Sequence, residues 1–475
     1  MCSIKIEISE DVMKTSDHLL GKYRDYAVYV NEERAIPRLT DGLKNVQRMV
    51  LWVMRNKSGK IKTAAVPGDM ISQELYLHGD VAAAEATSLM AAPFANNSPL
   101  LEHEGNFGTL LSPRAYSSPR YTYVKRGKYA DRIVLQDMNI IPMTENHDGS
   151  RMMPETFLPL LPVVLMNGID GTGVGFATSI MPRDLGDLIN ATAAAIRGQK
   201  SPLKNLEPHF TSHDCRGKLV KYKNNGSPEW EFEGEAEVVD TSTLRVTKLP
   251  PVNVTIEEFR QILIDMEEAG DIKGFDDNSS KAVDITVKMR RGSVKDWTRN
   301  DAIDFFKLRR RSSENITVVG FDGESIKTYI YDPEHQYPDP VERLVRDWVE
   351  WRFSFMVKRF EAEIFDTETK LGYLRLLKAC FDNGLSDNVK TMNNKFDMVV
   401  IIEGIAEAAS IDVEDGWIDR ICNRAIYRWT SEEQTKVHEQ VGELEELLEV
   451  LVVARDDPEV QRDIFEADVK ELKSV

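Results

Sequence analysis

Cysteine is scarce in this chain: Cys2, Cys215, Cys380 and Cys422 are scattered over 475 residues, with no CxxC pair. That pattern argues against a thiolate zinc site and a disulfide framework, and it suits a reducing compartment. Histidine is sparse as well, eight in all, with no HExxH motif to seat a metal. No GxxxxGK loop occurs, so ATP has no phosphate loop here. A long unbroken apolar run is also missing. The nearest candidate, residues 157–181, is interrupted by Pro162, Asn167, Asp170 and glycines 168, 171, 173 and 175. It fits buried strands joined by a tight turn better than a membrane span. Residues 1–7 lack the apolar core of a signal peptide. A cytoplasmic, non-secreted protein is expected, with no membrane partner.

The length implies two to four domains, and a composition 42% hydrophobic and 29% charged is that of a folded soluble chain. The net charge of −18 is unevenly spread. Residues 1–150 carry 18 basic and 18 acidic side chains, whereas residues 401–475 carry 8 and 20. Within the neutral part, residues 34–62 hold eight Lys or Arg against Asp41 alone, and residues 114–132 hold six against Asp131 alone. Local basic surface, rather than the total, governs phosphate binding. The acidic tail is expected to face away from nucleic acid.

Residues 1–30 read as an amphipathic helix carrying Leu19, Leu20, Tyr23 and Tyr26. The Arg34–Arg38 link is extended because Ile36 precedes a proline. Leu43, Val46, Val50, Leu51 and Met54 recur at helical spacing, with Lys44, Arg48 and Arg55 on the other side. Further short helices are expected over 68–76 and 80–92. Short helices joined by tight turns, with basic residues leading in, suggest a helix-turn-helix or winged-helix module. Residues 133–180 read as strands and turns. Residues 204–335 form a separate α+β region, with strands near 219–222, 235–239 and 282–287 and a helix over 255–268. After Tyr337-Pro338-Asp339-Pro340 the pattern becomes long helix. Val357, Phe360, Ile364, Leu371 and Leu374 form one apolar stripe, and Val437, Val441, Leu444, Leu448 and Leu451 another. The two segments are expected to pair antiparallel.

The chemistry concentrates at Ser117-Ser118-Pro119-Arg120-Tyr121. A tyrosine hydroxyl is a poor nucleophile until a base, a metal or a cation assists it. Arg120 brings a permanent charge with a forked donor geometry suited to phosphate. The pair points to attack on a DNA phosphodiester, though an Arg-Tyr dipeptide alone is common surface chemistry.

Five ordered motifs give that pair a context: Arg34-Ala35-Ile36-Pro37 with Asp41-Gly42-Leu43-Lys44, His78-Gly79-Asp80, Gly105-Asn106-Phe107-Gly108, Pro119-Arg120-Tyr121, and Asn167-Gly168 followed by Gly171-Thr172-Gly173-Val174-Gly175. Together they resemble the breakage–reunion half of the type IIA DNA topoisomerases, as in gyrase A, with bacteriophage members nearest in pattern. The resemblance implies an α+β multidomain fold. Residues 1–30 would be an N-terminal helical arm and 31–200 a winged-helix DNA-cleavage domain. Residues 201–338 would be an α/β tower, and 339–475 a coiled coil ending in a helical C-gate dimerisation domain. Tyr121 would become linked to a DNA 5′ phosphate, with Arg120 stabilising the pentacovalent phosphate. Arg34, Lys44, Arg48, His78, Lys125, Arg126 and Lys128 would hold DNA. Thr172 stands at the DNA-bending position, where the family has an intercalating isoleucine. Mg2+ on a Toprim domain and ATP on an ATPase domain would come from partner subunits, and the chain would dimerise through the DNA gate and C-gate. The other reading left open is a non-catalytic DNA-binding scaffold.

Overall fold

The computed structural model describes residues 19–146, 148–199, 206–385 and 394–474. It divides into two compact units, residues 1–352 with 466–475, and residues 353–465. Among the described residues no helix is long and apolar enough to cross a membrane.

The described part of the first unit begins with π-helical turns over Leu19–Tyr23, continues as a helical run, Arg24–Tyr29, and passes into further π-helical turns over Val30–Ala35; residues 1–18 of the expected helical arm lie outside the described residues. Three helices follow, Asn45–Met54, Ala65–Ser72 and Asp80–Ala91, packed on one another and on a three-stranded antiparallel sheet. That sheet has β1 (Ile61–Lys62) and β2 (Leu101–Glu104) flanking β3 (Tyr123–Arg126). Its register pairs Ile61 with Val124 and Leu101 with Arg126. The middle helix lies earlier than its apolar pattern suggested, because Pro67 falls within the first turn, where a missing N–H costs nothing.

The segment read as strands is corrected in part. Pro162 is followed by a short helix, Val163–Asn167, whose residues 163–166 are all buried, since a run buried on every side carries no period to tell strand from helix. Two hairpins bracket it, β4 (Met143–Glu145) with β5 (Met152–Pro154), and β6 (Ile169–Thr172) with β7 (Ala177–Ile180).

Beyond residue 206 the first unit is mixed helix and sheet. Strands Glu235–Asp240, Thr243–Lys248, Ile285–Lys288 and Gly274–Asp277 form one antiparallel sheet in that order. The helices Ile256–Glu268 and Arg299–Phe305 bury Phe259, Leu263, Ile303 and the adjoining Phe306 in the same core as Leu244, Ile285 and Val287. Both helices start at a capping box, Thr255 with Glu258 and Thr298 with Asp301.

In the second unit, helices Met356–Asp382 and Ser431–Asp456 lie side by side. They run antiparallel: Arg375 pairs with Glu445 at 2.7 Å and Asp382 with His438 at 3.0 Å. Phe360, Ile364, Leu371, Val437, Val441 and Leu451 of the anticipated stripes are buried, whereas Val357 is 41% exposed. The shorter helices Lys395–Ala408 and Trp417–Cys422 share a core with Tyr373, Leu376 and Leu377.

Candidate active site

Ser118, Pro119, Arg120 and Tyr121 make a tight turn closed by Tyr121 N donating to Ser118 O at 3.0 Å. Proline at the second position, with its φ already set, and serine at the first are what such a turn favours. The chain reaches it through Gly105-Asn106-Phe107-Gly108. There Phe107 is buried and bridges to Tyr116, while Ser117 N donates to Asn106 O at 3.0 Å. Gly108 has φ +100°, and a Cβ there would lie 2.5 Å from Pro113 O, so only glycine lets this loop fold back. Tyr121 leads, through Thr122, into β3, the central strand. Its side chain is 73% exposed, and the Arg120 guanidinium lies 6.0 Å from its ring centroid.

Arg34, Lys44 and His78 line one cavity of about 570 Å³. Burial holds the Lys44 ammonium below its usual range, with Asp170 opposing that and Arg114 adding to it. Lys44 Nζ donates to Asp170 O at 2.7 Å. His78 Nε2 meets Tyr29 Oη at 2.6 Å, with the Tyr76 ring edge-on at 5.2 Å. Burial raises the pKa of both tyrosines, so each keeps its phenolic proton.

Two of the side chains anticipated as DNA contacts, Arg48 and Arg126, turn toward partners within the chain in this structure. Arg48 is 2% exposed and forks onto Asp41, which is fully buried, with Nε to Oδ2 at 2.6 Å and Nη2 to Oδ1 at 2.9 Å. Asp41 also accepts from Leu43 N and Phe157 N. Arg48 thus braces the entry loop from inside, because a buried carboxylate needs a cation more than solvent does. Arg126 likewise turns in, donating to Arg55 O and pairing with Asp131. Lys125 is exposed and paired with Glu102 at 3.2 Å, and the Lys128 ammonium sits 5.0 Å from the Tyr129 ring centroid. Thr172 ends β6 opposite Ala177, exposed at the base of the Gly173–Phe176 turn.

Other residues at the site were not singled out by their spacing. Arg114, within the basic run 114–132, joins the same cavity and pairs with Asp170 at 3.0 Å, both groups well exposed. Such a pair is weak, so Arg114 can exchange the carboxylate for a phosphate. Asn31, 4% exposed, holds the β6–β7 hairpin by its amide: Nδ2 donates to Val174 O at 2.9 Å, and Oδ1 accepts from Val174 N at 2.8 Å. The approach is close enough that a Cβ on Gly171 would lie 2.0 Å from Ala35 O. Asn31→Ala leaves two backbone groups unpaired, costing up to about 1–3 kcal/mol for each. The Val174 amide is then expected to exchange with deuterium faster than in wild type, with exchange at Val246 unchanged.

A family model for the A subunit of DNA gyrase/topoisomerase IV matches residues 34–470. The chain is 30% identical to the DNA topoisomerase medium subunit of Enterobacteria phage T4 over 426 residues, 87% of this chain and 90% of that one. It is 35% identical over 217 residues to the DNA gyrase A subunit of Buchnera aphidicola subsp. Baizongia pistaciae, covering 44% of this chain and 25% of that protein. It is 28% identical over 322 residues to the DNA topoisomerase 4 A subunit of Escherichia coli K12, covering 63% and 42%. The match thus spans less than half of those two longer proteins and nearly all of the phage one. With the turn, the cavity and the family model all falling in the same stretch of sequence, the chain belongs to the A-subunit family of DNA gyrase and topoisomerase IV.

Proposed function

We propose that this chain is the DNA-cleaving and rejoining subunit of an ATP-dependent type II DNA topoisomerase. The observation that carries the proposal is Tyr121 beside Arg120 on an exposed turn, in a chain whose Arg34, Lys44, His78 and Arg114 share one cavity. The three helices and the β1–β3–β2 sheet serve as a winged-helix DNA gate, residues 201–338 as a tower, and residues 339–475 as a coiled coil with its C-gate dimerisation domain.

In the cleavage step, Tyr121 Oη forms a bond to phosphorus as the P–O3′ bond breaks. The phenolic proton passes to water, and the 3′ oxygen leaves as a hydroxyl. Arg120 faces the charge that gathers on the phosphate oxygens in the transition state. Reversal reseals the strand, since the phosphotyrosyl ester conserves the bond. Two copies of the chain would cut opposite strands and let a second duplex pass. Among the described residues no three His, Cys, Asp or Glu side chains come together to hold a cation. In this proposal Mg2+ and ATP belong to a partner protein. The test is to incubate the reconstituted complex with plasmid, stop it with denaturant, and look for DNA that travels with this polypeptide. DNA that stays free throughout would leave the scaffold reading.

The cavity cations carry their own expectation. Each phosphate contact releases condensed counterions, so Arg34→Ala and Lys44→Ala should each lower DNA affinity and flatten the plot of log affinity against log salt by about one unit. Arg48→Met should leave that slope unchanged and reduce stability instead. A fluorescence-anisotropy titration over several salt concentrations separates the two outcomes.

A further inference from the structure

Tyr121 projects into solvent at 73% exposure, so packing against its ring does not fix where its hydroxyl lies. Its position is inherited from the backbone on either side. The next residue, Thr122, is 1% exposed, and its Oγ1 donates to Oγ1 of Thr63, which is fully buried, at 2.9 Å. Backbone bonds flank this pair. Thr63 N donates to Thr122 O at 3.0 Å, and Ala64 N donates to Pro119 O at 3.2 Å. Both ends of the 119–122 segment are therefore tied to residues 63–64, which lead into the Ala65–Ser72 helix. The other side of Thr122 is closed too, because a Cβ on Gly105 would lie 3.2 Å from Thr122 Cγ2.

Packing alone does not ask for these hydroxyls. Two valines have nearly the same shape, and replacing both partners of a buried hydrogen bond with apolar groups is close to neutral for stability. What a hydroxyl pair adds is direction, since each oxygen accepts along its lone pairs and donates along one O–H. A nucleophile attacking in line is sensitive to direction: a misplacement of about 1 Å can cost about 10²-fold in rate.

We propose that Thr63 and Thr122 are positioning residues for the cleavage step, a buried hydroxyl clamp that fixes the height and heading of Tyr121 on the helix it is tied to. The proposal rests on Tyr121 being the nucleophile. It assigns the clamp to the rate of adduct formation rather than to DNA affinity.

The experiment compares wild type with Thr122→Val, Thr63→Val, the double valine variant and Thr122→Ser, each reconstituted with the partner protein, Mg2+ and plasmid. Three quantities are read: the rate of covalent adduct formation, the DNA dissociation constant and the thermal midpoint. Each single valine should slow adduct formation about 10²-fold, with the dissociation constant unchanged. Thr122→Ser keeps the hydroxyl and should recover most of the rate. The double variant should regain the thermal midpoint but not the rate. The proposal is overturned if Thr122→Val cleaves at the wild-type rate, if its rate falls only as far as its DNA affinity does, or if the double variant recovers rate together with stability. Tyr121→Phe, run in parallel, keeps the two levels apart. An adduct in that variant removes the nucleophile assignment itself, whatever the threonines do.

Discussion

In Tyr121→Phe no DNA is expected to remain on the polypeptide after denaturation, while DNA affinity stays at the wild-type value. The substitution removes one oxygen from an exposed ring that the fold does not use, so stability should hold within about 0.5 kcal/mol, as for other surface changes. Covalent chemistry, by contrast, has no fallback, because phenylalanine has no nucleophilic atom and the adduct signal falls to background. Arg120→Ala gives the graded companion result. It keeps the nucleophile and withdraws a cation from the developing phosphate charge, which for one electrostatic donor typically lowers the rate about 10²–10³-fold. Arg120→Lys should recover only part of this, since a point charge cannot fork onto two oxygens. Denaturing gels of labelled plasmid with a partner-reconstituted sample read both variants. An adduct that persists in Tyr121→Phe would mean that another side chain attacks. Equal rates for Arg120→Ala and wild type would mean that the guanidinium takes no part.

Much of this site was legible in the sequence because its devices are local. Ser-Pro at the head of a turn, glycine where φ is positive, and proline after an extended residue each act over a few residues. So the Pro119-Arg120-Tyr121 turn and the Gly105–Gly108 loop are written in adjacent positions of the chain. The helix over 431–456 was legible for a similar reason, since its apolar stripe repeats at helical spacing, and the structure adds a threonine cap at its start, as at the helix 256–268. What could not be read were pairings across long stretches of chain. Arg48 sits seven residues from Asp41 and looks from its spacing like a surface cation; only the burial of Asp41 beneath Phe157 turns it inward. Asn31 reaches Val174 across 143 residues, and Lys44 reaches Asp170 across 126. No local pattern encodes such contacts. The all-apolar stretch 157–166 failed for the opposite reason, since uniform burial erases the period that separates helix from strand.

A long-range pairing of this kind also sets the largest stability effect. Arg183 and Glu314 are both fully buried, with Nη1 to Oε1 at 3.0 Å and Nη2 to Oε2 at 2.9 Å. Glu314 accepts further from Trp230 Nε1 at 3.0 Å and Met181 N at 2.9 Å, while Arg183 donates to Met181 O and Leu206 O. The pair joins the residues just after β7 to the strand region around Trp230, so the β6–β7 hairpin that carries Thr172 takes its place from it. Glu314→Ala strands a buried guanidinium and should cost about 3–5 kcal/mol. Against a typical total of about 5–15 kcal/mol, that loss should move the first urea transition to markedly lower denaturant and cut the soluble yield. Breaking the pair and replacing it are different operations, however. Arg183→Met combined with Glu314→Leu removes both charges together and should lie well above Glu314→Ala, since well-packed apolar groups often match a buried ion pair. Trp230 Nε1 and Met181 N then lose their acceptor, and that residual deficit of about 1–3 kcal/mol for each unpaired group keeps the double variant below wild type. Urea midpoints in the order wild type, double variant, Glu314→Ala would establish that the pair is held by charge compensation; a double variant as weak as the single would show instead that the four hydrogen bonds around Glu314, not its charge, hold the hairpin.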